Sequence, residues 1–280
     1  MPNLRDLKKR LKSVQATGQL AGAMRTVSAA KYSRLGKQHT VYREYAEACS
    51  VVTEALPSLM DNCFPPLHPE APALYVLPAS NRGLCGGYNS ELFNFFRQAL
   101  GENVARNFLV LPCGKPAVSF VRENGYPLDR EFLLPDIPTF ADCQPLMNHI
   151  RELYRTGVVS SVDFFYQKHI NMLTQQPTRV RVLGQEPRDT ESGSDSFLYL
   201  PSREQVEKSA SLTILNARLY ALLLETATGS QAATLLAMRS AYDNAEDSAA
   251  ELSLHISRIR QAAVTNSVIE ISSEALREGE

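Results

Sequence analysis

The sequence predicts an α/β domain carried between two long helices that pair with each other as a coiled coil. Three observations predict it. Apolar or small residues recur at a 3-4 spacing over the last third of the chain, the same spacing opens the chain, and short apolar runs alternate with helical ones in between. The expected organisation is a helical segment over 1–57, a central α/β domain over 72–190 and a second helical segment over 202–280.

In the first helix Leu4, Leu7, Leu11, Val14, Gly18 and Ala21 form one seam, and no proline interrupts Asn3 to Leu56. At about 1.5 Å per residue this run reaches roughly 80 Å. Pro57, Pro65, Pro66, Pro69 and Pro72 then mark a boundary. Apolar runs at Ala73–Leu77, Asn107–Leu111, Glu131–Leu134, Val162–His169 and Thr178–Leu183 read as strands, and Ser90–Leu100, Lys115–Glu123 and Thr139–Arg155 as helices. Their alternation implies a layered fold with a largely parallel sheet. Gln185 to Ser196, rich in charge, glycine and serine, reads as a loop returning the chain to its last helix. Ser202 with Gln205, directly after Pro201, fits a capping box at the start of that helix.

The last helix carries Leu235, Met238, Tyr242, Ala245, Ala249, Leu252, Ile256, Ile259 and Ala263 along one seam and spans roughly 110 Å. A helix this long needs a partner, and the amino-terminal helix supplies one. Gly18, Gly36 and Gly229 lie inside the runs at about 1 kcal/mol each relative to alanine. Ala21, Ala29, Ala30, Ala245 and Ala249 let two backbones approach closely. An ordinary helical bundle is the alternative on periodicity alone.

Over 280 residues, 29 Lys and Arg face 30 Asp and Glu, so no global field announces a nucleic-acid partner. Charge is local instead. Arg5, Lys8, Lys9, Arg10, Lys12, Arg25, Lys31, Arg34 and Lys37 meet only Asp6 over the same stretch, which suits an acidic protein surface as well as a solvated helix face. No aromatic residues interleave as a nucleic-acid stacking platform requires. The widely spaced Cys49, Cys63, Cys85, Cys113 and Cys143 suggest reduced thiols, and the start has no apolar signal core. No window approaches the ~18 apolar residues of a membrane span.

Asn81-Arg82-Gly83-Leu84-Cys85-Gly86-Gly87-Tyr88-Asn89 is a glycine-rich turn between a strand and a helix, where phosphate loops lie. Its G-x-x-G-G spacing matches neither dinucleotide nor P-loop patterns, so a structural turn is the stronger reading. His39, His68, His149, His169 and His255 form no metal-ligand spacing, and no G-x-S-x-G elbow anchors a nucleophile. Cys85 beside the glycines reads as a buried small hydrophobe more readily than as an activated thiol.

Three stretches in order resemble the gamma subunit of the rotary F-type ATP synthase of bacterial type. They are Leu11-Lys12-Ser13-Val14 with AMRTVSAAKYSR (Ala23 to Arg34), the turn NRGLCGGYNS, and AMRSAYDNAEDSAAELSLHISRIRQAAVTNSVIEISSEAL (Ala237 to Leu276). The resemblance implies an antiparallel coiled coil of the terminal helices with a central Rossmann-like α/β domain. It implies a non-catalytic rotor shaft without cofactor or metal, which couples ion flow through the membrane ring to ATP synthesis or hydrolysis on the beta subunits. The implied partners are the alpha and beta subunits of the head, the epsilon subunit and the membrane c-ring, with no nucleic acid. The implied location is peripheral, at the cytoplasmic face of the cell membrane.

Carried over to this chain, Met24, Arg25, Arg260, Gln261 and Thr265 match positions contacting the beta subunit. Phe197, Leu198 and Tyr199, with Pro201, match the segment near the ring or epsilon. Ser267 and Glu274 depart from the family pattern, and the carboxylate expected at Ser267 is missing. A static coiled-coil adaptor with an α/β ligand-binding domain, or an α/β enzyme using Gly83 to Tyr88, are the competing readings.

Overall fold

The computed structural model describes residues 4–55, 64, 68, 70–101, 107–184, 200 and 202–277. The proline-rich positions Pro57, Pro65, Pro66 and Pro69 and the expected loop Gln185–Ser196 lie outside the described residues. In chain order the elements are α1 (Leu4–Ala55), β1 (Ala73–Pro78), α2 (Tyr88–Leu100), β2 (Phe108–Cys113), α3 (Lys115–Glu123), α4 (Phe140–Arg155), β3 (Ser161–His169), β4 (Gln175–Leu183) and α5 (Arg203–Arg277). Both long helices run unbroken through Gly18, Gly36 and Gly229. The Gln205 N–H donates to Ser202 Oγ at 3.4 Å, one arm of the expected cap. The chain divides into two compact units, 1–27 with 235–280, and 28–234.

In the 28–234 unit a four-stranded sheet has the order β2-β1-β3-β4. β1 is parallel to both β2 and β3, while β4 returns antiparallel to β3 through a tight hairpin. Side-chain alternation along β1 builds two apolar layers. Leu74 and Val76, with Val162 and Phe164 of β3, pack against Leu146, Met147 and Ile150 of α4, Leu219 and Leu223 of α5 and Leu35 of α1. Tyr75 and Leu77, with Phe165, face Leu92 and Phe96 of α2 and Phe120 and Val121 of α3. Burying one such side chain contributes about 1.5–3 kcal/mol, so the sheet is held from both faces. Thr139 opens α4 with a reciprocal capping box to Asp142, which fixes that boundary where the sequence placed it.

The expected strand Glu131–Leu134 does not form. Only two isolated bridges join this region to β2, Val110 to Leu128 and Cys113 to Phe132. Four residues advance on one side against three on the other, so no regular ladder propagates. The segment nevertheless covers β2's outer edge, taking hydrogen bonds from the Val110 and Gly114 N–H groups and returning them from Asp129 and Phe132.

Candidate functional site

In the 1–27 with 235–280 unit, Leu4, Leu7, Leu11, Val14, Gly18 and Ala21 are all buried or half-buried, while every other described residue from Arg5 to Leu20 is exposed. On α5, Leu235, Met238, Tyr242, Ala245, Ala249, Leu252, Ile256 and Ile259 are likewise covered. A Cβ built on Gly18 would stand 3.1 Å from the Ala245 Cβ, and one on Gly22 would stand 3.1 Å from Tyr242 Cδ2. As α1 advances from 18 to 22 its neighbour on α5 retreats from 245 to 242, so the helices run antiparallel. At Gly18 only a hydrogen faces the Ala245 methyl, so the backbones approach closely, whereas at Gly22 the Tyr242 ring fills the space.

Ala263 departs from the expected seam, because it is exposed. Carrying the register outward from Gly18 and Ala245 sets Leu4 near Ile259, so Ala263 lies past the described start of α1. From Arg260 to Ile269 every residue is exposed, including the large apolar Val264, Val268 and Ile269. Exposed apolar side chains grouped on one helix are the kind of surface that proteins use for interactions.

The sequence-predicted contact residues fall on this unit in two groups. Met24 and Arg25 are half-buried on α1, whereas Arg260, Gln261 and Thr265 are exposed on α5. The Arg25 guanidinium lies 4.7 Å from the centroid of the Tyr242 ring. The Tyr242 hydroxyl donates to Glu246 at 2.9 Å, and this acceptor pushes the phenol's pKa upward. At the departure Ser267 the hydroxyl turns back to the Ala263 carbonyl at 3.1 Å and so replaces the missing carboxylate with a bond inside its own helix. Phe197, Leu198, Tyr199 and Pro201 lie outside the described residues, as does the side chain of Glu274.

The glycine-rich turn spends its polar groups internally. The Ser80 N–H donates to Asn89 Oδ1 at 3.0 Å, Asn89 Nδ2 donates to Ser80 Oγ at 2.9 Å, and Ser80 Oγ donates to the Arg82 carbonyl at 2.6 Å. Tyr88 is buried and donates to the Thr226 carbonyl of α5 at 3.0 Å, while Gln167 Nε2 donates to the Tyr88 carbonyl at the same distance. Burial drives the Tyr88 phenol's pKa far up, so it stays a neutral donor. Cys85 is buried beside Ser80. Next to the turn, at the carboxyl ends of β1 and β2, a crevice of about 40 Å³ is lined by Asn81, Gly114, Asp136 and Gln231. Ligand pockets run to hundreds of Å³, so this one holds little more than water. Among the described residues, no group of three His, Cys, Asp or Glu is placed to hold a metal, and no helix is long and apolar enough to cross a membrane.

What sequence reasoning missed is the reach of α1's seam and the stack at Tyr242. The covered positions continue at 3-4 spacing through Arg25, Ser28, Tyr32, Leu35, His39, Tyr42, Ala46 and Cys49. The spacing itself was the available signal; the polar residue types concealed it.

Residues 3–276 match the family described as ATP synthase. An ATP synthase gamma chain of Alkaliphilus metalliredigens (strain QYMF) is 31% identical over 97% of each chain. One of Parabacteroides distasonis is 29% identical over 98% of this chain and 99% of the relative. A chain from the Euglena gracilis mitochondrial ATP synthase, in the assembly OSCP/F1/c-ring at rotational state 3, has the same fold. It superposes with a TM-score of 0.68 at 17% identity, over 99% of this chain and 95% of that one. Joined to an antiparallel helix pair and a three-strand parallel sheet with one returning strand, these likenesses show that the chain belongs to the ATP synthase gamma chain family.

Proposed function

We propose that this chain is the central rotor shaft of an F-type ATP synthase, and that its helix pair and exposed α5 end engage a ring of alpha and beta subunits. The observation that carries this reading is the run from Arg260 to Ile269, which leaves the seam and exposes both donors and apolar side chains on an uninterrupted helix. In this reading the head holds the ATP chemistry and the chain itself is non-catalytic. A shaft that presents different contacts to each catalytic subunit makes their nucleotide affinities unequal, and turning it cycles them. The epsilon subunit and the membrane c-ring are assigned to the segment containing Phe197, Leu198 and Tyr199, on the strength of the resemblance. The chain then works as a peripheral part of a membrane-associated complex, at its cytoplasmic face.

Met24, Arg260, Gln261 and Thr265 are the residues proposed to meet beta, while the fifth position that the resemblance assigns there, Arg25, lies over the Tyr242 ring. Arg260 and Gln261 stand exposed side by side and offer several donors to a carboxylate-bearing loop. A charged hydrogen bond contributes about 1.5–3 kcal/mol, roughly tenfold or more in rate if the state that uses it limits the cycle. Replacing both (Arg260→Ala with Gln261→Ala) should therefore lower ATP turnover or ion coupling of the reconstituted complex about tenfold. The exposed Glu251→Ala should change little. Wild-type hydrolysis and wild-type ion-driven synthesis in the double variant would remove these two residues from the contact. Failure of the unaltered chain to join or stimulate an alpha/beta head would remove the shaft reading itself.

A further inference from the structure

Tyr242 occupies a seam position on α5 where a coiled coil ordinarily places an aliphatic knob. Its ring is packed against Gly22, where an added Cβ would come to 3.1 Å and 3.2 Å of Cδ2 and Cε2. Arg25, the next seam position of α1 after Ala21, reaches across to the same ring at 4.7 Å. The ring's hydroxyl is held at 2.9 Å by Glu246, one turn further along α5. The aromatic ring thus lies between a glycine gap and a guanidinium of the facing helix, with its far end tied to its own helix. One turn away Gly18 faces Ala245, a smooth contact that offers no interlocking side chain.

We infer that Arg25 is a positioning residue inside the shaft: with Tyr242 and Gly22 it forms a register lock that stops α1 and α5 from sliding or twisting past each other under torque. The inference rests on the shaft reading and changes the role of one residue that the family resemblance assigns to beta contact. A slip of one turn toward the start of α1 would carry the ring from Gly22 to Gly18 and away from Arg25, so there the guanidinium supplies the stop, while the opposite slip would drive the ring onto the Thr26 side chain. Smooth small-residue seams lack such a stop, because their contacts are nearly equivalent after a shift. Arg25 then acts through Tyr242, and its charge serves the ring face rather than a carboxylate of the head.

The test uses the assembled complex with Arg25→Gln, Tyr242→Leu, the pair together, and Tyr242→Phe. Two readings are taken: ions pumped per ATP against an opposing gradient, and the angular variance of a probe fixed to the stalled shaft. A lock predicts that Arg25→Gln and Tyr242→Leu each raise the variance and lower pumping against load by about two- to fivefold, the range expected for loss of one cation–π contact. The double variant should be no worse than either single, and Tyr242→Phe, which keeps the ring face, should restore both readings. If Arg25 instead grips beta, Arg25→Gln lowers turnover, Tyr242→Leu leaves both readings unchanged and the double variant equals Arg25→Gln alone, which overturns the lock. Should Tyr242→Leu fail to assemble, unchanged variance in Arg25→Gln overturns it by itself. The shaft reading fails separately, if the unaltered chain does not turn in the head.

Discussion

At the level of single residues, glycines separate into those that geometry demands and those that periodicity merely tolerates. Gly184, which follows β4, has φ +76, and a Cβ there would lie 2.5 Å from the Ser160 carbonyl oxygen and 2.8 Å from Ser161 Cα. Backbone atoms cannot move aside as a side-chain tip can, so Gly184→Ala should cost about 2–4 kcal/mol. Gly36 sits inside α1 with nothing within 4 Å of a built Cβ. There alanine should stabilise by up to about 1 kcal/mol, through helix propensity alone. Chemical denaturation of the two variants checks both signs, and equal midpoints would show that close approach at Gly184 is relieved by backbone movement. The sequence marked Gly36 as a helix weakness, but gave no hint of Gly184, because that requirement arises from a carbonyl more than twenty residues earlier in the chain. The stack of Arg25 on Tyr242 was illegible for the same reason: neither residue type announces a partner over two hundred positions away.

At the level of elements, heptad spacing proved a better guide to α1 than residue type. Its seam keeps the 3-4 rhythm past Ala21, yet His39 and Tyr42 occupy places where a pattern search expects leucine. His39 is buried, with the His169 ring of β3 at 6.1 Å, and Tyr32 lies 3.3 Å from His169 Nε2. Burial, then the neighbouring His169 and Arg43, lower the His39 pKa from 6.5 to about 4, and burial lowers that of His169 too. The fold therefore favours neutral rings. Their contribution is complete above the unfolded value near 6.5, and is lost as pH falls from there through about 4. Glu225 of α5, raised chiefly by burial, works in the opposite direction, since its protonated form is the favoured one. With two histidines against one carboxyl, the 28–234 unit should lose about 1–2 kcal/mol between pH 7 and pH 5, and His39→Leu should flatten that slope. Denaturant midpoints across the pH range decide it: an equal slope in the variant would place the acid sensitivity elsewhere. The strand expected at Glu131–Leu134 failed for a different physical reason, since apolar alternation says nothing about whether a partner strand stays in step.

Across the whole molecule, near-neutral net charge conceals a segregation that bears on assembly. The formal charge is −1, while the nine lysines and arginines up to Lys37 are opposed by Asp6 alone. Lys8, Lys9 and Lys12 are exposed and lie on one side of α1, away from the seam of Leu7, Leu11 and Val14. At helical spacing their ammonium groups present a concentrated positive face, which raises association rates with an acidic partner and is screened beyond about 10 Å at 0.1 M salt. If this face meets an acidic surface within the head, raising the salt from about 0.05 M to 0.5 M should weaken assembly through slower association, with dissociation changing less. Reversing the three charges (Lys8→Glu, Lys9→Glu, Lys12→Glu) should slow association at low salt by about tenfold and remove most of its salt dependence. The substitutions are at exposed positions and leave the seam intact, so the folded chain should keep its stability. Association kinetics of variant and unaltered chain with a purified alpha/beta head, followed across the salt series, separate the outcomes. Parallel salt slopes would mean that the basic face is only a solvated helix surface, and that apolar contacts along Val264 to Ile271 carry the assembly instead.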